Sequence, residues 1–208
     1  MEAAPEVGRP PVVASTTRRR LLGALTLGAL LTPVARAAGA AEPAVPDGAQ
    51  AGDLIFRRGT AAISDAVLAV DAGEFSHVGM LVGQRGAWQV VHATPSEVPG
   101  RGDGVVLDDL AFYLDPARAE RHAVYRVQAD ASRHALAVAA ALAARGQGFE
   151  LAHAGGTYCT ALVWQAWRTA GVDLHVPFTR LAIPLLQGEY LLPSALQSSP
   201  RLQVLTRG

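Results

Sequence analysis

The fold of this chain is decided by the stretch from Phe75 to Ala93, which reads FSHVGMLVGQRGAWQVVHA. Two apolar runs in it, 77–82 and 88–93, are rich in β-branched residues and are predicted to be strands. The link between them, 83–86, has the sequence Gly-Gln-Arg-Gly. A short glycine-rich link between two strands is typical of a hairpin. We therefore expect the two strands to pair antiparallel.

Two histidines lie in this predicted hairpin. His77 begins the first strand and His92 lies near the end of the second, at equal distances from the centre of the turn. Pairing across the strands can bring two such side chains within reach of each other. A base oriented by a second polar group is what nucleophilic catalysis requires. Taken singly, His77 is better explained as a structural histidine whose ring is hydrogen-bonded. His92 taken singly fits a structural role and a functional one equally well.

The elements around the hairpin indicate the fold class. Local patterns predict strands near 52–56, 105–107 and 122–127, helices within 60–72, 131–145 and 158–170, a helical turn at 110–114 and a loop at 95–104. The tail from 175 onward contains prolines, among them Pro177, Pro184 and Pro193, and is expected to wrap the surface. Neighbouring strands joined by short turns, with helices grouped in sequence, favour an α+β fold with an antiparallel sheet or partial barrel packed against helices.

Cys159 is the only cysteine, so it cannot form an internal disulfide. It follows the glycine-rich segment 155–158 and begins the predicted helix 158–170. Unpaired N–H groups and the helix dipole favour an anion at this position, which predicts a lowered thiol pKa. The same N–H groups could hold an oxyanion. The competing interpretation is a small buried side chain, because free cysteines are often buried.

Composition argues against several other functions. The formal net charge is zero, with 18 basic and 18 acidic residues, and no basic stripe predicts nucleic-acid binding. The six histidines and one cysteine show no zinc-ligand spacing. Neither a Gly-x-Ser-x-Gly motif nor a phosphate loop with lysine is present. We therefore expect no metal and no cofactor.

The N-terminus has the features of a targeting segment. Arginines 18–20 precede an apolar run, 21–34, and a small-residue site, 35–37, which together predict a signal peptide over 1–37. The paired arginines resemble a twin-arginine signal. The apolar run is shorter than the ~20 residues that span a bilayer as a helix, although an uncleaved anchor is the alternative. We expect a disordered leader at 38–50, a hydrolase domain at 51–208, and an exported protein, periplasmic or extracellular, with no membrane span after cleavage.

Four short motifs, in this order, resemble the circularly permuted NlpC-type papain-like superfamily, most closely its YiiX/YebB-like branch. They are Gly52–Phe56, Ser76–Met80, Val91–Ala93 and Tyr158–Trp164. The resemblance covers roughly 50–175, and the cysteine comes last, as in permuted members.

The resemblance implies roles for three residues. Cys159 would attack a carbonyl, His77 would act as its base, and His92 would orient His77. Many YiiX-like members have a glutamate near the place of His92. The histidine here fits the related lecithin–retinol acyltransferase-like pattern.

The remaining motif residues are expected to be structural. Asp53 would be a turn carboxylate that accepts backbone N–H bonds. Tyr158 and Trp164 would pack beside the groove, and Ser76 would cap the strand entry. None of them is assigned chemistry.

Three functions remain as alternatives. The first is hydrolysis of an amide in a cell-wall peptide, peptidoglycan fragment or other peptide. The second is hydrolysis or transfer of an acyl group of a lipid. The third is a binding module without catalysis, which a retained cysteine and two histidines disfavour. A polar cleft would favour a peptide substrate, and an apolar cleft would favour a lipid.

Overall fold

The computed structural model describes residues 45–151, 156–183 and 186–207. The predicted signal peptide and nearly all of the predicted leader lie outside the described residues, so both remain predictions. Within the described residues, no helix is long and apolar enough to cross a membrane.

The described residues form eight strands and five helices. The strands are β1 Leu54–Gly59, β2 His77–Val82, β3 Gln89–Thr94, β4 Gly104–Asp109, β5 Ala119–Val127, β6 Thr179–Ile183, β7 Leu186–Tyr190 and β8 Leu202–Arg207. The helices are α1 Ala62–Val70, α2 Leu110–Tyr113, α3 Ala131–Ala143, α4 Cys159–Thr169 and α5 Pro193–Gln197.

Six strands form one antiparallel sheet in the order β4-β3-β2-β1-β5-β8, and β6 pairs with β7 in a separate two-stranded sheet. The predicted α+β fold with an antiparallel sheet is confirmed. The predicted hairpin is also present, with β2 and β3 paired antiparallel in the register Met80↔Val91.

The sheet buries apolar side chains on both faces. One face packs against α3 and α4 and contributes Phe56 and Met80 to the larger core cluster, together with Trp167 of α4. Residues of the other face, such as Ile55 and Val90, form a second cluster with α2. Because the sheet is packed on both faces, its inner strands β2 and β3 are held in fixed positions.

The turn before β1 is held by Asp53, whose carboxylate accepts the N–H of Gln50 at 2.9 Å, as expected from the sequence. The same carboxylate also forms an ion pair with Arg126 of β5, at 2.7 Å. Gly52 has a φ of 94°, which an L side chain rarely adopts, so the turn requires glycine.

The prediction that the tail from 175 wraps the surface is wrong. Leu191 and Leu196 are almost fully buried, and β8 joins the main sheet beside β5. The prolines do not prevent this, because Pro193 lies at the start of α5, where its missing N–H leaves no bond unmade.

Candidate active site

Cys159 is the first residue of α4. Tyr158 is the extended residue before the helix, and its carbonyl accepts the N–H of Leu162 at 2.9 Å. The hydroxyl of Thr160 donates to the carbonyl of Leu191 at 2.6 Å, which fixes the first turn. The start of α4 is therefore tied to the tail, and Cys159 is held at a helix N-terminus as predicted.

The predicted direction of the thiol pKa is wrong. Burial raises the pKa of Cys159, and this outweighs the lowering by the N–H groups of Val78, Thr160 and Cys159 itself and by the charge of Arg57. The helix start favours a thiolate, but removal of water from the sulfur costs more. Burial therefore favours the protonated thiol at rest.

His77 and His92 are brought together by the hairpin. Nε2 of His77 lies 2.8 Å from Nδ1 of His92. Extending the register Met80↔Val91 by one residue places Gly79, not His77, opposite His92. The two rings therefore meet diagonally across the strands.

Gly79 makes room for this arrangement. A Cβ on Gly79 would lie 2.3 Å from Cγ1 of Val90 and 3.2 Å from Cβ of His92. Such contacts are too short for carbon atoms, so any larger residue here would push on the strand that carries His92.

The sequence analysis missed Asp108, which lies beyond His92. Nε2 of His92 lies 3.1 Å from Oδ2 of Asp108. Arg101 donates to both oxygens of this carboxylate, at 2.6 and 3.2 Å. Asp108 of β4 is paired with Val90 of β3, and Val106 of β4 is paired with His92 of β3. Asp108 is two residues from Val106, so its side chain lies on the same face of the sheet as His92. Two acidic residues, Asp108 and Asp109, at the end of an apolar run were the available signal.

His77 and Cys159 line one cleft. The backbone N–H of Val78, next to His77 in the chain, interacts with the Cys159 sulfur and lowers the pKa of the thiol. Because Nε2 of His77 is hydrogen-bonded to His92, Nδ1 is the ring nitrogen that this bond leaves open.

Burial dominates the electrostatics of the two histidines. It lowers the pKa of His77 well below the usual value, with further lowering by Arg57 and His92. Burial also lowers the pKa of His92, against the opposing hydrogen bond from Asp108. Both rings are therefore neutral at rest near neutral pH.

Arg57 was also not predicted from the sequence as a residue of the site. It is paired with His77 across β1 and β2, and it is almost fully buried. Its guanidinium donates to the carbonyl of Tyr113 at 2.8 Å, lies 4.4 Å from the centre of that ring, and forms an ion pair with Glu97. The cation is thus fixed near the thiol and the base.

The cleft has a volume of about 370 Å³ and is lined largely by apolar side chains. One wall is a stripe on α1, formed by Ile63, Val67 and Val70 at helical spacing. Leu181 and Leu186 of the β6–β7 hairpin contribute further apolar lining. Charged residues lie at one end of the cleft and comprise Arg57, Glu97 and Arg118.

The expected structural residues take part in packing. Ser76 accepts the N–H of Gly59 at 3.0 Å, and the hydroxyl of Tyr158 accepts the N–H of Leu191 at 3.0 Å. Tyr158 also lines the cleft. The ring of Trp164 packs edge-on against Phe178, with 5.2 Å between centres.

Comparison with solved structures finds the fold in another protein. The chain is similar to a crystal structure titled as the metalloprotein yiiX from Escherichia coli O157:H7, with 20% sequence identity and a TM-score of 0.64. The match covers 76% of this chain and 97% of that one. A comparison with curated proteins found no significant match.

The described residues do not fit a metal centre of the kind that this title suggests. No three His, Cys, Asp or Glu side chains within 45–151, 156–183 and 186–207 are grouped so that they could hold a metal. In the site itself, His77 Nε2 and both nitrogens of His92 are already hydrogen-bonded.

The family described as permuted papain-like amidase enzyme, YaeF/YiiX, C92 family, matches residues 48–206. This range includes the hairpin, Asp108 and the start of α4. It also includes β8, so the family fold extends beyond the stretch that resembled it in sequence. The chain therefore belongs to the C92 family of permuted papain-like amidases and is a cysteine hydrolase.

Proposed function

We propose that the enzyme cleaves an amide through an acyl-enzyme in which Cys159 is the nucleophile, His77 the base and His92 the residue that orients His77. The observation that carries the proposal is the hydrogen bond between His77 and His92 in the cleft that Cys159 lines. A nucleophile, a base and a group that orients the base are the parts of a catalytic triad.

The chemistry follows from the resting protonation states. Nδ1 of His77 takes the thiol proton as the sulfur attacks the carbonyl carbon, and His77 then gives that proton to the leaving amine. Water next attacks the thioester and loses a proton to His77, which returns it to the sulfur as the acid leaves. The N–H of Cys159, at the start of α4, supplies a donor for the developing oxyanion.

The lining of the cleft favours the second of the two substrate classes. Apolar side chains of α1 and of the β6–β7 hairpin line the same cleft, and burying an aliphatic chain against them stabilises binding by about 0.8 kcal/mol per CH₂. We therefore infer an amide whose acyl group is aliphatic, as in an N-acylated lipid, in preference to a cell-wall peptide. An acceptor other than water would turn hydrolysis into acyl transfer.

The location of the reaction is a proposal from the sequence alone. The paired arginines and the apolar run before residue 38 support export by the twin-arginine route, and an extracytoplasmic substrate is consistent with both classes considered.

The test is to incubate the enzyme with a long-chain N-acyl amide and, separately, with a peptidoglycan fragment, and to identify products by mass spectrometry. We expect release of fatty acid and a transient mass increase on Cys159. Cys159→Ser should abolish the thioester. His77→Ala should lower kcat/KM by several orders of magnitude, up to about 10⁶-fold, by analogy with the loss of the base from a catalytic triad.

A matched control is His175→Asn, which alters a histidine that is 54% exposed and outside the cleft. Its activity should equal that of the wild type. Cleavage of the peptidoglycan fragment alone would overturn the aliphatic substrate, and no acyl-enzyme with either substrate would overturn the mechanism.

A further inference from the structure

We propose that Asp108 is a positioning residue that determines, through His92, which nitrogen of His77 carries the ring proton. The inference rests on the proposed function of His77 as the base that accepts the thiol proton. It also assigns a role to Arg101, which fixes the orientation of the group at position 108.

Hydrogen-bond direction links the three side chains. The carboxylate of Asp108 only accepts, so Nε2 of His92, 3.1 Å away, must carry the proton. The Nδ1 atom of a neutral His92 is then an acceptor. Nε2 of His77, 2.8 Å from that atom, must therefore donate, which leaves Nδ1 of His77 unprotonated.

The consequence reaches the thiol. A neutral imidazole has one donor and one acceptor nitrogen, and a base for Cys159 needs the acceptor at Nδ1. Burial keeps both rings neutral, so the tautomer, and not the charge, decides whether His77 is ready to act.

Burial prevents this chain of hydrogen bonds from rearranging. His92 is fully buried and the Asp108 side chain is 9% exposed, so neither ring nitrogen of His92 can readily exchange its partner for bulk water. Asp108 lies on β4, the outer neighbour of β3, and each step of the chain crosses to the next strand.

Because of Arg101, the proposal can be tested by replacing the Asp108 carboxylate with an amide. Its Nη1 lies 2.6 Å from Oδ1 of Asp108 and its Nη2 lies 3.2 Å from Oδ2. In Asp108→Asn either orientation of the amide sets its NH₂ group against a guanidinium nitrogen, at 2.6 Å from Nη1 or at 3.2 Å from Nη2. The shorter donor–donor contact costs more, so the amide oxygen is expected to face Nη1. The amide NH₂ group then faces Nε2 of His92.

This substitution should reverse the whole chain. Nε2 of His92 must accept from the amide, so Nδ1 of His92 carries the proton and donates to Nε2 of His77. The proton of His77 then lies on Nδ1, which can no longer accept the thiol proton. We expect kcat/KM to fall by up to about 10⁴-fold, which is the loss in kcat when an amide replaces a triad carboxylate.

The second variant is Asp108→Asn combined with Arg101→Ala. Without the guanidinium the amide is free to turn its oxygen toward His92, which restores the original tautomers. We expect the double variant to be at least tenfold more active than Asp108→Asn alone. If Asp108 had a purely structural role, the double variant should be less active than Asp108→Asn, because both sides of the Arg101–Asp108 ion pair would then be lost.

The readout is the ¹⁵N NMR signal of the His77 ring, measured without substrate near neutral pH. The wild type should carry its proton on Nε2, Asp108→Asn on Nδ1, and the double variant on Nε2 again. Asp109→Asn, which changes the neighbouring exposed residue of β4, is the matched control and should leave the ring unchanged.

The proposal is overturned if Asp108→Asn retains the Nε2 proton on His77, or if the double variant is no more active than the single one. Should Asp108→Asn fail to fold, Asp108→Ala replaces it: with no acceptor at His92, a mixture of tautomers is expected, and a pure Nε2 tautomer contradicts the role. Failure of the proposed function would appear instead as a wild type that cleaves neither substrate, with its His77 tautomer still measurable.

Discussion

Two hairpins border the cleft, and they differ in how they are held. The β2–β3 hairpin lies inside the six-stranded sheet, between β1 and β4, and most of its side chains are buried. The β6–β7 hairpin forms a two-stranded sheet of its own, and most of its residues are exposed or partly exposed. The first carries the histidines, and the second carries part of the apolar wall.

The difference matches the precision that each task requires. Proton transfer fails when two atoms move apart by a fraction of an ångström, so His77 and His92 belong on strands whose neighbours fix them. Apolar contact tolerates small displacements, because it depends on buried area and not on direction. An isolated two-stranded hairpin has only marginal stability, and it is sufficient for that second task.

Among the changes that test this comparison, the largest effect is expected from Gly79→Ala, which disturbs the first hairpin without touching a reacting atom. The new Cβ would lie 2.3 Å from Val90 Cγ1 and 3.1 Å from the carbonyl oxygen of Val91. The strands must separate, and a shift of about 1 Å at the rings would lower kcat/KM by about 10²-fold. Overpacking should also lower the free energy of unfolding by about 1–3 kcal/mol.

Activity assays and denaturant unfolding measure both effects. Gly102→Ala is the control, since a Cβ there meets nothing within 4 Å. Full activity of Gly79→Ala would show that the histidine pair does not depend on the close approach of β2 and β3.

A smaller effect is expected from Leu181→Asn in the second hairpin. Leu181 lies on the face that lines the cleft, and loss of a buried leucine side chain removes about 1.5–3 kcal/mol of apolar contact. We expect KM for a long-chain N-acyl amide to rise by about 10- to 10²-fold, with little change in kcat or in labelling of Cys159 by a thiol reagent.

Arg180→Ala is the matched control, because it alters the neighbouring residue on the opposite face of the same strand. Its KM should not change. A fall in thiol labelling of Leu181→Asn would contradict the division of tasks, since it would mean that the second hairpin also positions the chemistry.

Local patterns predicted the first hairpin but not the second. The runs around the link 83–86 show strand composition and a turn signal, so pairing and the meeting of His77 with His92 followed from sequence alone. The segments of β6, β7 and β8 are short and lie among prolines. Their strand character comes from tertiary contacts, such as the pairing of Val204 with Tyr125.

The site shows the same limit. Cys159 at a helix start could be read from the glycines before it, whereas Asp108 required the register of β4 against β3, which no local pattern gives. The sign of the thiol pKa also depended on the protein around the sulfur. Dipole effects can be judged from sequence, but desolvation cannot.

The smallest expected effect is a pH dependence of stability that separates the two hairpins. The pKa values of His77 and His92 are lowered in the folded protein, chiefly by burial. At a pH between the folded value and the usual value near 6.5, the unfolded chain binds protons at these two rings and the folded protein does not. Stability is therefore present above about pH 6.5 and is lost as the pH falls, by at most about 1.4 kcal/mol per pH unit for each histidine.

Hydrogen exchange at pH 7.5 and 5.5, corrected for intrinsic rates, tests this. Protection of β2 and β3 amides, which are released by unfolding of the sheet, should decrease at the lower pH. The described residues of β6 and β7 contain no histidine, so their local opening should change little. The variant His175→Asn should behave as the wild type. Equal protection of β2 and β3 at both pH values would mean that the two rings accept protons as readily in the folded protein as in the unfolded chain, which is incompatible with a site that keeps His77 neutral through burial.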